Sequence, residues 1–310
     1  MGELKEMIPK TPDMFDSIIG KGCGHRYMEY TWRDVALYAV AVGATRDDLP
    51  YIYEKAEGGL KALPTFAVLP YINTIMMKPP TKEPYGPNEI LLNFIHAGLG
   101  GEKHNRLHMA MELIFHKPVD AMKGTFITED KVEAVYDWGD KGVVGIMSQE
   151  VMDIAGNPVC TLKGTHWHKA FGNFGGEKYV SPKAEIPDRD PDYDTTEYLA
   201  ENQAILYRLT GDTYQVHIDP EVGKKRGYEK PFMQGLGTLG FATRMAIQQI
   251  IPYQPERVTR IYAQMRKVCI PGQPVRLMTW NVGEGKVHFK LVNAENGDLL
   301  LGNGVFEYKI

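Results

Sequence analysis

The chain has 310 residues, 43% of them hydrophobic, enough to bury a sizeable core in one large domain or two ordinary ones. With 35 basic against 39 acidic residues, a net charge of −4, it has no excess of charge to offer nucleic acid, and an anionic ligand has to be met by a local cluster. Three scattered cysteines, Cys23, Cys160 and Cys269, form neither a metal spacing nor a disulfide framework, which suits a reducing compartment.

Taken from the N-terminus, the first residues lack the layout of a signal peptide, and no stretch reaches the roughly 18 apolar residues of a membrane span. The last residues, Tyr308-Lys309-Ile310, are not a peroxisomal address. A cytoplasmic protein with no membrane partner is expected. The segment "DVALYAVAVGA" (34–44) resembles "NQAILYRLTGD" (202–212): Leu37-Tyr38 matches Leu206-Tyr207, and Gly43 matches Gly211. The offset stays near 168, the mark of an internal duplication. In "LPTFAVLPYINTIMM" (63–77), Pro64 and Pro70 interrupt the helical pattern, so any helix there is short or broken. Strands are expected over 109–118, 121–138, 142–153 and 158–171. His166 and His168 share one face of the last of these and read as sheet surface, because no third metal ligand is evident. His104 and His108 would share a helical face and carry no assigned chemistry.

The stretch 171–198 is rich in Gly, Pro and Asp and reads as a linker. The expected division is an N-terminal unit over 1–175, a linker over 176–193 and a C-terminal unit over 194–310. A helix is expected from a cap at Asp194 or Thr195, with Leu199, Gln203, Leu206 and Leu209 on one face and Gly211 closing it. Asp219 reads as an N-cap followed by Pro220 in the first turn. A longer, glycine-bearing helix over 234–251 is followed by four strand-like runs, with a turn at Asn296-Gly297 between the last two. One buried helix and a strand meander suggest a sheet wrapped around a helix.

Between the two C-terminal helices lies "TGDTYQVHIDP" (210–220). Asp212 and His217 there are either turn punctuation or an acid/base pair, since a short loop can bring a carboxylate and an imidazole to one water. "MQGLGTLG" (233–240) adds backbone N–H groups at a helix start, where negative charge can be held. A ligand that carries phosphate groups would need basic residues. Lys224, Lys225, Arg226 and Lys230 form one candidate cluster, and Arg266 with Lys267 a second.

"YRLTGDTYQVHIDPEVGKKRGYEKPFMQGLGTLG" resembles the signature of the type-2, MaoC-like enoyl-CoA hydratases. "YAVAVGA", "LHMAMELIFHKP", "FGGEK" and "IPGQPV" resemble, in the same order, segments of the hydratase unit of peroxisomal multifunctional enzyme type 2. The resemblance implies an α+β double hotdog and (R)-specific hydration of a trans-2-enoyl-CoA, or the reverse dehydration. It implies Asp212 and His217 as catalytic residues and the Gly235 N–H as oxyanion donor. No cofactor is implied beyond the acyl-CoA substrate, and the assembly expected is a homodimer. The first unit lacks the pair, since Gly43 is followed by Ala44, so it would shape the acyl pocket. Departures from the family pattern are Tyr214 for asparagine, Gln215 for proline, Gln234 for histidine and Gln264-Met265 for Arg-Phe. These fit an altered substrate. Other readings are a degenerate acyl-CoA-binding protein and a dehydratase of non-fatty acyl thioesters. A hotdog thioesterase is disfavoured, because the 234–251 segment carries no carboxylate.

Overall fold

A computed structural model gives the structure of the protein and describes residues 11–13, 15–16, 19–20, 22–76, 106–169 and 172–310. Among these residues, ten strands form one sheet: β1 (Gly22–Thr31), β2 (Arg106–Phe115), β3 (Lys123–Asp137), β4 (Val143–Met152), β5 (Pro158–His168), β6 (Tyr193–Tyr198), β7 (Val258–Met265), β8 (Pro274–Gly283), β9 (Lys286–Asn293) and β10 (Leu299–Tyr308). Their order is β1-β3-β4-β5-β2-β7-β10-β9-β8-β6, so each half of the chain contributes five neighbouring strands. The halves meet where β2 pairs antiparallel with β7, Leu113 opposite Ile261. Edge-to-edge joining lets one hydrophobic interior run through both halves. This is the expected α+β double hotdog.

The strands follow the alternation in the sequence. In β9, Val287, Phe289, Leu291 and Asn293 point inward while the residues between them are half-buried. The helices are α1 (Trp32–Ala41), α2 (Leu49–Ile52), α3 (Leu69–Met76), α4 (Gln203–Arg208), α5 (Pro220–Lys224) and α6 (Gly235–Ile250). As expected from Pro64 and Pro70, the first unit begins its central segment with a 3-10 turn (Pro64–Val68) before α3.

In the second unit α6 is the buried core helix, and its glycines admit flat aromatic rings. A Cβ on Gly237 would lie 2.9 Å from the Tyr207 ring, and one on Gly240 would lie 2.7 Å from the Tyr38 hydroxyl. Tyr38 and Tyr207 are the residues matched by the duplication, and their rings meet at 6.1 Å. Gln203 fastens α4 to α1 by donating to the carbonyls of Val40 (2.8 Å) and Ala41 (2.7 Å). Arg244, buried on α6, donates to the Val42 carbonyl (3.0 Å) and pairs with Glu197.

Two expectations are corrected. Residues 193–198 are not the first turn of a helix. They form edge strand β6, paired with β8, and the helix starts only at Gln203. "YDTTEY" is β-branched and aromatic, and Asp194 is occupied by Arg276 rather than by capping. The helix face differs too, since Gln203, Ala204 and Tyr207 are buried and Leu209 is exposed. Gly211 does close the segment, with φ of 133° and its N–H on the Arg208 carbonyl (3.1 Å).

His166 and His168 are not on the sheet surface. Each is 1% exposed, because β5 lies inside the sheet and its inner face is covered. His166 Nε2 lies 2.5 Å from the Tyr71 hydroxyl, and its ring stacks on His108 at 4.6 Å. His104 lies outside the described residues. Strand β1 was not read from the sequence at all.

Candidate active site

The loop from α4 to α5 is organised by two aspartates with different tasks. Asp219 caps α5, its carboxylate accepting from the N–H groups of Glu221 (2.9 Å) and Val222 (3.3 Å). Asp212 accepts from the Tyr214 N–H (3.2 Å), a local turn bond that holds one carboxylate oxygen. A 3-10 turn over Gln215–His217 then swings the imidazole inward. Its Nδ1 lies 2.9 Å from the Phe232 carbonyl. A carbonyl can only accept, so Nδ1 carries the proton and donates, and Nε2 of the neutral ring is left as an acceptor.

Aromatic rings surround that imidazole. Tyr214 meets it edge-on at 5.9 Å and Phe232 at 4.9 Å, while Tyr228 backs Phe232 at 4.5 Å. Asp212 and His217 are 7% and 9% exposed, low enough for burial to govern their charge. Burial raises the Asp212 carboxyl above its ordinary 3.8, opposed by the positive charges of His217 and Arg208. Burial lowers His217 below its ordinary 6.5, opposed by Asp212 and by the bond to Phe232, while Arg208 lowers it further. The two groups therefore sense each other's charge in a buried setting. The arrangement suits a carboxylate base beside a neutral imidazole.

Gly235 opens α6, and the N–H groups of the first turn have no partner inside a helix. Unlike Gly237 and Gly240, it is not needed for packing. An added Cβ would meet Met265 at 3.4 Å, an ordinary contact, and no left-handed backbone is involved. A glycine that the packing does not require suits the close approach of a ligand. Gln234 precedes it, 1% exposed, with its amide N–H on the Ala204 carbonyl (3.1 Å) and its own carbonyl accepting from the Thr238 N–H (2.8 Å). The side chain thus ties the start of α6 to α4, the helix that leads into Asp212.

The candidate cations are less alike than their sequence clusters suggest. Lys224 is exposed and paired with Glu221 (2.8 Å), and Lys267 with Asp298 (2.6 Å). Arg266 is bound by Gln264. Lys225 and Lys230 are exposed. Arg226 lies 4.7 Å over the Tyr214 ring, which brings it beside the loop of the pair. Met265 packs toward Gly235, so Arg266 and Lys267 follow directly after a wall of the site. Gln215 is exposed.

Arg208 was missed in the sequence. It follows Tyr207 at the end of α4, and its charge reaches both Asp212 and His217. The available signal was position: four residues before the aspartate is one helical turn.

Residues 28–169 match the family described as the MFE-2 hydratase 2 N-terminal domain, and residues 182–303 match the MaoC like domain. The chain is 28% identical to a probable enoyl-CoA hydratase 2 of Dictyostelium discoideum, over 89% of this chain and 90% of that one. It superposes on a MaoC-like dehydratase of Phytophthora capsici with a TM-score of 0.80 and 28% identity, covering 95% of this chain and 98% of the other. A conserved hypothetical protein of Mycobacterium tuberculosis, described as a double hotdog, shares the fold at a TM-score of 0.56 and 14% identity, over 95% and 97% of the two chains. With both halves matched in order, the chain belongs to the MaoC-like hydratases, a family of hydro-lyases, and carries the MFE-2 type of N-terminal domain.

Proposed function

We propose that the protein adds water across the double bond of a trans-2-enoyl-CoA to give the (R)-3-hydroxyacyl-CoA, and catalyses the reverse dehydration. The observation that carries this is the buried Asp212–His217 pair, its imidazole oriented by the Phe232 carbonyl so that Nε2 is left as the acceptor. Both groups hold one water. Asp212 takes a proton from it as the water oxygen bonds to C3, and the double-bond electrons move to C2 and the thioester carbonyl. The Gly235 N–H stabilises the enolate-like oxygen at the positive end of α6. The pair then returns a proton to C2, leaving both side chains as they began. Arg226, with the exposed lysines near it, meets the phosphates of coenzyme A. The first unit, with its proline-interrupted central segment, shapes the space for the acyl group.

The test is hydration of enoyl-CoAs of graded chain length, with chiral analysis of the product. An (R) product that disappears in Asp212→Asn supports the assignment. Turnover that survives that substitution, or an (S) product, contradicts it.

A further inference from the structure

Several buried polar atoms near the pair have no work in the steps above, the Tyr207 hydroxyl among them, and two of them differ in sign. Gln234 donates its amide N–H to the Ala204 carbonyl at 3.1 Å. The opposite amide orientation would set oxygen against oxygen, so the donor end is the one held. That leaves Oε1 buried with no donor among the described residues. Arg208 Nη1 is likewise buried with no acceptor among them. Ala204 lies one helical turn before Arg208 on α4, so the orphaned acceptor and donor are held by the same short helix. Gln234 also abuts Gly235, whose N–H opens α6. Unmade buried hydrogen bonds are costly, and a site that keeps both an acceptor and a donor unmade suits a ligand group that offers the complement.

A secondary amide does so, with one N–H and one carbonyl on opposite sides. We propose that Gln234 Oε1 and Arg208 Nη1 bind the amide nearest the sulfur in the substrate's pantetheine arm. The amide N–H donates to Gln234, and its carbonyl accepts from Arg208. That amide begins three bonds from the sulfur, so a thioester oxygen on Gly235 N–H brings it to the residue next door. Coenzyme A and carrier-protein thioesters share this group, so the subsite recognises the arm and not the acyl chain.

The inference rests on the hydratase reading and is tested separately from it. Two thioesters of trans-2-decenoic acid are compared, one of N-acetylcysteamine and one of 2-mercaptoethyl acetate, which differ only in N–H against O. The wild-type protein is expected to favour the amide by about tenfold in kcat/KM, mostly through KM. Gln234→Met should reduce the preference to about twofold or less, whereas Arg208→Gln should slow both thioesters alike, since both keep the carbonyl. Equal efficiency of the two thioesters in the wild type overturns the proposal, and so does a preference undiminished in a folded Gln234→Met. The wild-type comparison needs no variant, so a misfolded protein leaves the test intact. Hydration of neither thioester would count against the hydratase reading itself.

Discussion

Asp212→Asn should separate the cost of keeping a buried carboxylate from its use. Asparagine has nearly the same volume and retains an oxygen for the Tyr214 N–H, so the loop keeps its turn. What it loses is the capacity to take a proton. Positioned acid/base groups contribute roughly 10²–10⁴ in rate, about 3–5 kcal/mol of barrier, and a loss in that range is expected in kcat/KM. If His217→Ala costs a similar amount and the two acted independently, the double variant would lose roughly 6–10 kcal/mol. If both hold one water, as proposed, the double variant should instead fall to about the level of the worse single one.

Stability should move the other way. Burial raises the Asp212 carboxyl above 3.8, so the folded protein holds this proton more tightly than the unfolded chain does. Below 3.8 the carboxyl is protonated in both states and carries no penalty. As pH rises from there through the raised folded value, the wild type loses stability, and Asp212→Asn does not. The variant should therefore gain relative to the wild type over that window and hold the gain at neutral pH. Urea unfolding across a pH series measures the gap, and progress curves on an enoyl-CoA measure the rate. Near-normal hydration by Asp212→Asn, or a stability gap that closes as pH rises, would refute the reasoning.

The acid limb of kcat/KM should lie above 3.8, since the proposed chemistry needs Asp212 ionised and burial resists that; a pH–rate profile with full activity down to that value would contradict it. Gly235→Ala should leave stability within about 1 kcal/mol, because the added Cβ meets only Met265 at 3.4 Å, yet lower kcat/KM by about tenfold or more through crowding of the proposed oxyanion site, as thermal melts and steady-state kinetics would show. Gly43→Ala should destabilise by about 2–5 kcal/mol in denaturant titration, since its φ is 93° and a Cβ would lie 2.2 Å from the Phe241 ring. Enoyl-CoAs with medium, long or bulky acyl groups should exceed crotonyl-CoA in kcat/KM by about tenfold or more, reflecting the proline-interrupted start of the first unit's central segment.

Local patterns carried much of this protein. Alternation marked eight of the ten strands, and the Asp219-Pro220 pair announced the cap of α5, because these depend on neighbours in the chain. Period alone misassigned 193–198. "YDTTEY" becomes a strand because β8 offers an open edge, and that edge is built from residues some eighty positions away. The duplication foretold two similar units but not how Tyr38 and Tyr207 would meet across them, which the glycines of α6 decide.

At the site, the spacing of Asp212 and His217 singled out the pair. Their shifted protonation comes from burial, and burial is a property of the whole packed interior. The same holds for His166 and His168, whose spacing says only that they share a face, while the sheet order decides that the face is covered. The motif contains Arg208 and Gln234, but not the fact that each keeps an atom without a partner among the described residues. In the proposal each acts through that atom, and only the folded chain, where Gln234 bonds the Ala204 carbonyl, brings α4 to the start of α6.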